Sequence, residues 1–184
     1  MIEIKLVETA GFASALQALH LPFGIECKST AEADVWDVKS NGGIVATHGA
    51  WHVKISDDDE TLLRALIKSG DEHAKVIRGV VAYLEINAPR YWWVEMDTYR
   101  IGREQLASES TMHIQGRKLK EEELVKMKSE LKEGTMQKRI IMVSYQTLRR
   151  IHHQRHSHRL PEWREFCRWI VEHLPYSWII VHGI

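Results

Sequence analysis

Residues 79–87, Gly-Val-Val-Ala-Tyr-Leu-Glu-Ile-Asn, run directly into Ala88-Pro89, and Trp92-Trp93 follow in the next turn of chain. β-Branched and aromatic residues dominate the first part, which reads as a largely buried strand. Proline has no N–H to lose and its φ is already helical, so Pro89 suits the first turn of a new helix. A buried strand that turns at once into a tryptophan-bearing helix therefore sits near the middle of the chain.

Residues 2–7 alternate and predict a strand, and Phe12, Leu16 and Leu19 predict a helix over 11–20. Between 21 and 57, Gly24, Gly42, Gly43 and Gly49 separate short β-rich pieces at 35–38 and 51–55, which predicts small strands and loops. Ser56 followed by Asp57, Asp58, Asp59 and Glu60 is a helix N-terminus, a capping hydroxyl ahead of carboxylates that favour the positive end of the dipole. That helix runs through Leu62, Leu63, Leu66 and Ile67 to Gly70, and a short helix follows over 71–78.

Residues 117–133 pair Glu with Lys three or four apart, with only Leu119, Leu124 and Leu131 as an apolar stripe. This predicts a solvated helical arm or lid, closed by Gly134. Ile140, Ile141, Val143, Leu148 and Ile151 predict one amphipathic helix over 138–155, and Pro161 opens a last helix over 161–174. The apolar tail 176–184 is expected to pack back on the body. The fold class expected is α/β in an α+β arrangement, with a central, mostly antiparallel sheet flanked by long helices. The 184 residues suggest a single domain, with the arm at 117–133 as its appendage.

Lys plus Arg equals Asp plus Glu, which argues against a duplex nucleic-acid binder. Two cysteines, Cys27 and Cys167, form no disulfide framework and read as reduced thiols of a cytoplasmic protein. No eighteen-residue apolar run is present, so no membrane span is expected.

Three groupings bear chemistry. Lys75 and Arg78, just after His73, share a face and could grip a phosphate; a solvated charged surface is the plain alternative. In 88–113, Tyr91, Trp92, Glu95 and Tyr99 repeat at helical spacing, as do Trp93, Asp97 and Arg100. One face would be core and the other site, with Trp92 packed inside and Trp93 bordering a ligand. The third is 149–159, in which Arg149, Arg150, Arg155 and Arg159 alternate with His152, His153, His156 and His158. Arginine forks there suit a phosphate or a pyrimidine edge. Only His152 and His156 are spaced i, i+4 and no acid or cysteine ligand lies nearby, so no metal site is expected.

These pieces, in this order, resemble the flavin-dependent thymidylate synthases over about residues 60–113 and 138–172. The strand and Ala88-Pro89 match that family's strand and helix start. His73 matches a histidine near the flavin, Arg100 the last arginine of an Arg-His-Arg motif, and Ser108 the serine of a Ser-x-Arg motif. Arg155 matches a C-terminal arginine that holds the uracil ring. Thr98 and Tyr99 stand for the first two residues of Arg-His-Arg, Ser110 for the arginine of Ser-x-Arg, and Gln105 and Leu106 for an Asn and a Glu. In the family the missing groups mostly hold flavin and nucleotide phosphate. The fuller pattern also looks like bacteriophage and prophage proteins allied to that family.

The resemblance implies a phage-type, thymidylate-synthase-like transferase acting on a dUMP-like pyrimidine nucleotide, with FAD as the family's cofactor. It also implies a homo-oligomer, a tetramer in the family, working in the cytoplasm, here that of a host. Arg155 and Ser108 would be catalytic. His73, Lys75, Arg78 and Trp93 would face the cofactor, and Arg100, Ser108, Ser110, Arg150, Arg155 and Arg159 the nucleotide. The lost phosphate-holding groups leave a second reading open, a non-catalytic sponge or regulator that captures a nucleotide signal on the same scaffold.

Overall fold

The computed structural model describes residues 1–40, 43–110 and 120–182, with the side chains of 30–52 set aside. Thr111 to His113, Leu119, the start of the predicted arm and the last two residues of the tail lie outside the described residues. Contacts divide the chain into two compact units.

The first unit comprises residues 1–9 and 81–182. Its centre is a four-stranded sheet of order β1-β4-β6-β5, built from β1 (Glu3–Ala10), β4 (Val81–Pro89), β5 (Arg103–Ser108) and β6 (Met136–Ser144). β6 runs antiparallel to both neighbours, pairing Val81 with Ser144 and Pro89 with Met136 on one side and Arg103 with Val143 on the other. The helices of this unit are α3 (Arg90–Met96), α4 (Glu121–Ser129), α5 (Tyr145–Arg155), α6 (Pro161–His173) and α7 (Trp178–Val181). The α+β architecture expected from the sequence is the one observed.

β4 alternates fully buried Ala82, Leu84, Ile86 and Ala88 with half-buried neighbours, so one face of the strand is core. Pro89 then caps α3, as predicted. That helix stops at Met96 and does not run on through Arg100, and the motif region beyond it is the strand β5. The predicted helix over 138–155 is likewise two elements. β6 holds Ile140, Ile141 and Val143, and α5 begins at once, its N-terminus capped by the Ser144 hydroxyl accepting from the N–H of Thr147 at 3.2 Å. Two elements of the same polarity placed end to end mimic one amphipathic helix when only the apolar positions are counted. The arm, predicted over 117–133, is the shorter α4, with no buried residue.

The turn at 101–102 docks on the start of α5. Ser144 N–H donates to the Gly102 carbonyl at 2.7 Å, and the Thr147 hydroxyl donates to the Ile101 carbonyl at 2.7 Å. Gly102 has φ +72, and a Cβ there would lie 2.5 Å from Ser144 Oγ and 2.6 Å from Thr147 Oγ1. Glycine is required on both counts.

The second unit covers residues 10–80. It holds α1 (Phe12–His20), a two-stranded antiparallel ribbon of β2 (Thr30–Ser40) and β3 (Gly43–Lys54), α2 (Asp57–Ser69) and a 3-10 turn at Lys75–Arg78. The ribbon replaces the small strands and loops expected for 21–57, and the 3-10 turn replaces most of the short helix expected over 71–78. α2 begins as predicted, with the Ser56 hydroxyl accepting from Asp59 N–H at 3.2 Å. Burial works against the charge of Asp59, but hydrogen bonds from Ser29, Ser56 and His20 hold its carboxyl below the ordinary range.

Candidate functional site

Arg155, the last residue of α5, is the hub of a polar cluster on the first unit. Its Nε donates to the Tyr99 hydroxyl at 2.9 Å and its Nη1 to Glu95 Oε2 at 2.7 Å. The Trp163 indole N–H donates to the same Oε2 at 2.9 Å, and the Tyr99 hydroxyl donates to Gln154 Oε1 at 2.9 Å. Nη1 of Arg155 also lies 2.8 Å from Nε2 of His158. The Arg155 guanidinium stands 4.9 Å from the Trp163 ring centroid and 5.7 Å from that of Tyr99, within cation–π range.

Three elements bring these groups together. α3 supplies Glu95, and the turn after it supplies Tyr99. α5 supplies Arg155, and α6, opened by Pro161, supplies Trp163. Two-thirds of the Glu95 side chain is covered, and only 20% of Arg155 is exposed. Among the described residues, Nη2 of Arg155 has no hydrogen-bond partner. The outcome is a guanidinium fixed along one edge, formally neutralised by Glu95, with its other edge open. Such a group suits a neutral carbonyl or imide edge. A doubly charged phosphate would have to share the arginine with Glu95.

A second cluster lies beside it on the sheet. Asp97 Oδ1 accepts from Arg103 at 2.9 Å and from Arg139 at 3.3 Å, and Arg139 also reaches Asp97 Oδ2 at 3.1 Å and Gln105 at 2.8 Å. The Arg139 guanidinium caps the Trp93 ring at 4.6 Å. Sequence spacing had grouped Asp97 with Arg100, whereas Arg103 and Arg139 take that carboxylate. One arginine charge in excess of Asp97 remains.

The two tryptophans correct an expectation. Helical geometry predicted one ring inside and Trp93 at a ligand. Both are fully buried. Trp92 packs on Trp163 and Phe166, with centroids 4.7 and 5.4 Å apart, while the Trp93 N–H donates to the Gln137 carbonyl at 2.8 Å under the Arg139 cap. A helix this short is covered on one side by α6 and on the other by β6, so rings that diverge both find cover.

The other residues singled out in the sequence fall as follows. Arg150 is exposed and reaches the Tyr99 ring at 5.8 Å, beside Arg155. Arg100 and Arg159 are exposed, Arg100 on the turn after α3 and Arg159 just before α6. Ser108 is exposed at the end of β5, opposite Arg139, and Ser110 is half-buried beyond it. His73, Lys75 and Arg78 are exposed on the second unit, with His73 3.9 Å from Glu72. His152 and His156 stack with rings 5.5 Å apart, and burial first, then His156 and His153, push His152 below its ordinary range. Glu95, Tyr99, Trp163 and Arg139 were missed as site groups. The repetition of Glu95 and Tyr99 at helical spacing was the available signal.

The donors available to a flavin can be counted on this geometry. The Thr98 hydroxyl is spent on the Glu95 carbonyl at 2.7 Å, and Tyr99 is buried with its hydroxyl between Arg155 and Gln154. Of the three motif positions at 98, 99 and 110, none is a cation. Positions 98, 99 and 110 therefore do not fit the phosphates of a flavin dinucleotide in the way the motifs imply.

No protein-family profile and no curated protein sequence matches the chain. Solved structures do. Thymidylate synthase X from Helicobacter pylori with FAD and dUMP superposes with a TM-score of 0.66 at 13% identity, over 99% of this chain and 97% of that one. A second structure of that enzyme with FAD and dUMP gives 0.66 at 12%, over 98% and 97%. A UMP/dUMP methylase from Streptomyces cacaoi bound with 5-Br dUMP gives 0.60 at 11%, over 94% and 89%. Among the described residues, no helix is long and apolar enough to cross a membrane. The chain has the fold of the flavin-dependent thymidylate synthases, the one its motifs implied.

Proposed function

We propose that the chain binds a pyrimidine nucleotide of the dUMP kind, with the base edge on Arg155, and acts on that base as a thymidylate-synthase-like protein. The observation that carries this reading is the half-open guanidinium. Tyr99 and Glu95 hold one edge of Arg155 in place, Trp163 supplies a flat apolar wall, and Nη2 is left to donate to a ring carbonyl. A donor already oriented loses little entropy on binding and is placed to stabilise charge that develops on the pyrimidine oxygen. Arg100, Arg150, Arg159, Ser108 and Ser110 are the groups of this unit assigned to the ribose and phosphate. The solved neighbours' ligands, dUMP and its 5-bromo analogue, support the substrate class.

The departures at Thr98, Tyr99 and Ser110 favour a second reading, in which the chain captures the nucleotide and does no chemistry. Any replacement at C5 must break the C5–H bond, so the two readings separate on that bond. Purified protein is given dUMP tritiated at C5, alone and with added FAD, reductant and a folate one-carbon donor, and tritium release to water is followed alongside calorimetric binding. Release with binding supports the enzyme, and binding without release supports the capture protein. Failure of dUMP to bind, with Arg155→Ala and wild type indistinguishable, would refute both.

A further inference from the structure

On the second unit, Asp59 lies in the first turn of α2 and its side chain is completely buried. Buried carboxylates are paired with a cation or bind a metal. Among the described residues, neither lysine nor arginine is bonded to this one. Oδ2 accepts from the Ser29 N–H at 2.9 Å, from the Ser29 hydroxyl, and from the Cys27 thiol at 3.7 Å. Oδ1 lies 2.5 Å from Nε2 of His20, itself buried at the end of α1. Something positive has to sit between that oxygen and that nitrogen, either a proton or a metal ion.

We propose that His20, Cys27 and Asp59 are the protein ligands of a divalent-metal site of the zinc class. One donor atom from each lies within 4.8 Å of the others. Tetrahedral zinc, with bonds of about 2.3 Å to sulfur and about 2.1 Å to oxygen, holds the two ligands roughly 3.6 Å apart, close to the 3.7 Å from Cys27 Sγ to Asp59 Oδ2. His20 faces the other oxygen, Oδ1, so one ion reaches both side chains by a small turn of the carboxylate and an opening of the Nε2–Oδ1 gap by somewhat under ~1 Å as the metal replaces the proton there.

The charges close as well. The thiol loses its proton to water on forming the metal–sulfur bond. Nε2 likewise gives up its proton to water as the metal–nitrogen bond forms, and the ring is left neutral with its one proton on Nδ1. Thiolate and carboxylate then balance the ion's two charges, and a water fills the fourth position. A donor set of thiolate, imidazole and one carboxylate selects zinc over magnesium or calcium, which take oxygen. The site would pin the end of α1, the segment carrying Cys27 and Ser29, and the start of α2 at one point.

The test uses the full chain, reduced and freed of metal by chelation. Zinc is added and then removed from free solution, and the bound metal is measured by elemental mass spectrometry; cobalt(II) is added in parallel and read by absorbance. The expected result is a single zinc per chain, a sulfur-to-cobalt charge-transfer band in the near ultraviolet, and a zinc-dependent rise in Tm. Cys27→Ser, a mild change at a half-buried position, should abolish the cobalt band and the rise in Tm. His20→Gln should lower zinc affinity at least tenfold. Absence of retained zinc in the wild type, or equal zinc retained by Cys27→Ser through surface histidines with no charge-transfer band in either, would overturn the proposal.

Discussion

Trp92 and Trp163 are both fully buried, touch one another, and lie on facing helices, yet their indole nitrogens meet different fates. The Trp163 N–H donates to the Glu95 carboxylate at 2.9 Å. The Trp92 N–H is buried without a partner among the described residues. Changing each to phenylalanine removes nearly the same atoms and leaves a similar cavity, so the packing cost largely cancels in the comparison. The hydrogen-bond terms do not cancel. Trp163→Phe forfeits a bond to a charged group, about 1.5–3 kcal/mol, and the lower end applies because Glu95 is a third exposed. Trp92→Phe removes an unsatisfied buried donor, a gain of about 1–3 kcal/mol against the same cavity. The two variants should thus differ by about 2.5–4.5 kcal/mol, with Trp92→Phe the more stable. For a unit of this size the gap corresponds to at least ~10 °C in Tm. Guanidinium and thermal unfolding of both variants read it directly. Trp163→Phe should also weaken nucleotide binding, because it loosens the partner of Arg155. Equal costs, or a costlier Trp92→Phe, would refute the assignment of the two nitrogens.

The Tyr91 hydroxyl donates to Glu162 at 2.6 Å, which pushes Tyr91 up to about 12 and, against the opposing effect of burial, holds Glu162 below its ordinary range. The Glu162 part of this stability is present above its ordinary range and lost as pH falls; the Tyr91 part is present below about pH 10 and lost as pH rises toward 12. Tyr91→Phe should flatten both limbs of a plot of stability against pH, and unchanged limbs would contradict the coupling. Gly102→Ala forces a Cβ onto Ser144 and Thr147 at a left-handed φ, and should cost at least about 2 kcal/mol by chemical denaturation; a loss under ~0.5 kcal/mol would show that the turn is free to move. The amides of α4, which buries no residue, should exchange hydrogen many times faster than those of β4, whose alternate residues are fully buried. Equal protection would mean that something covers the arm.

What could be read in advance was whatever the chain announces locally. Ser56 with its three aspartates, Gly70, Pro89 and Pro161 mark boundaries that hold to within a residue or two. β5 was illegible because Arg103–Ser108 has hardly a buried side chain; it is a strand only because the backbone of β6 pairs with it. β6 was absorbed into a helix because its apolar residues continue the spacing of those in α5. The site divides in the same way. Arg155 stands out in a run of arginines and histidines. Its counter-ion Glu95 lies 60 residues away and is joined to it only by the packing of α3 against α5 and α6. Cys27 and Asp59, 32 apart, meet for a like reason.

Ser144 is both the last residue of β6 and the cap of α5, so strand and helix form one continuous piece with no spacer. A residue added or lost within 136–155 cannot be absorbed there. In the strand it would turn each side chain to the opposite face, and in the helix it would swing Arg155 by about 100°. An added residue is accommodated more cheaply in α4, which buries no side chain. The neighbourhood of Arg155 can be retuned only by exchanging one side chain for another.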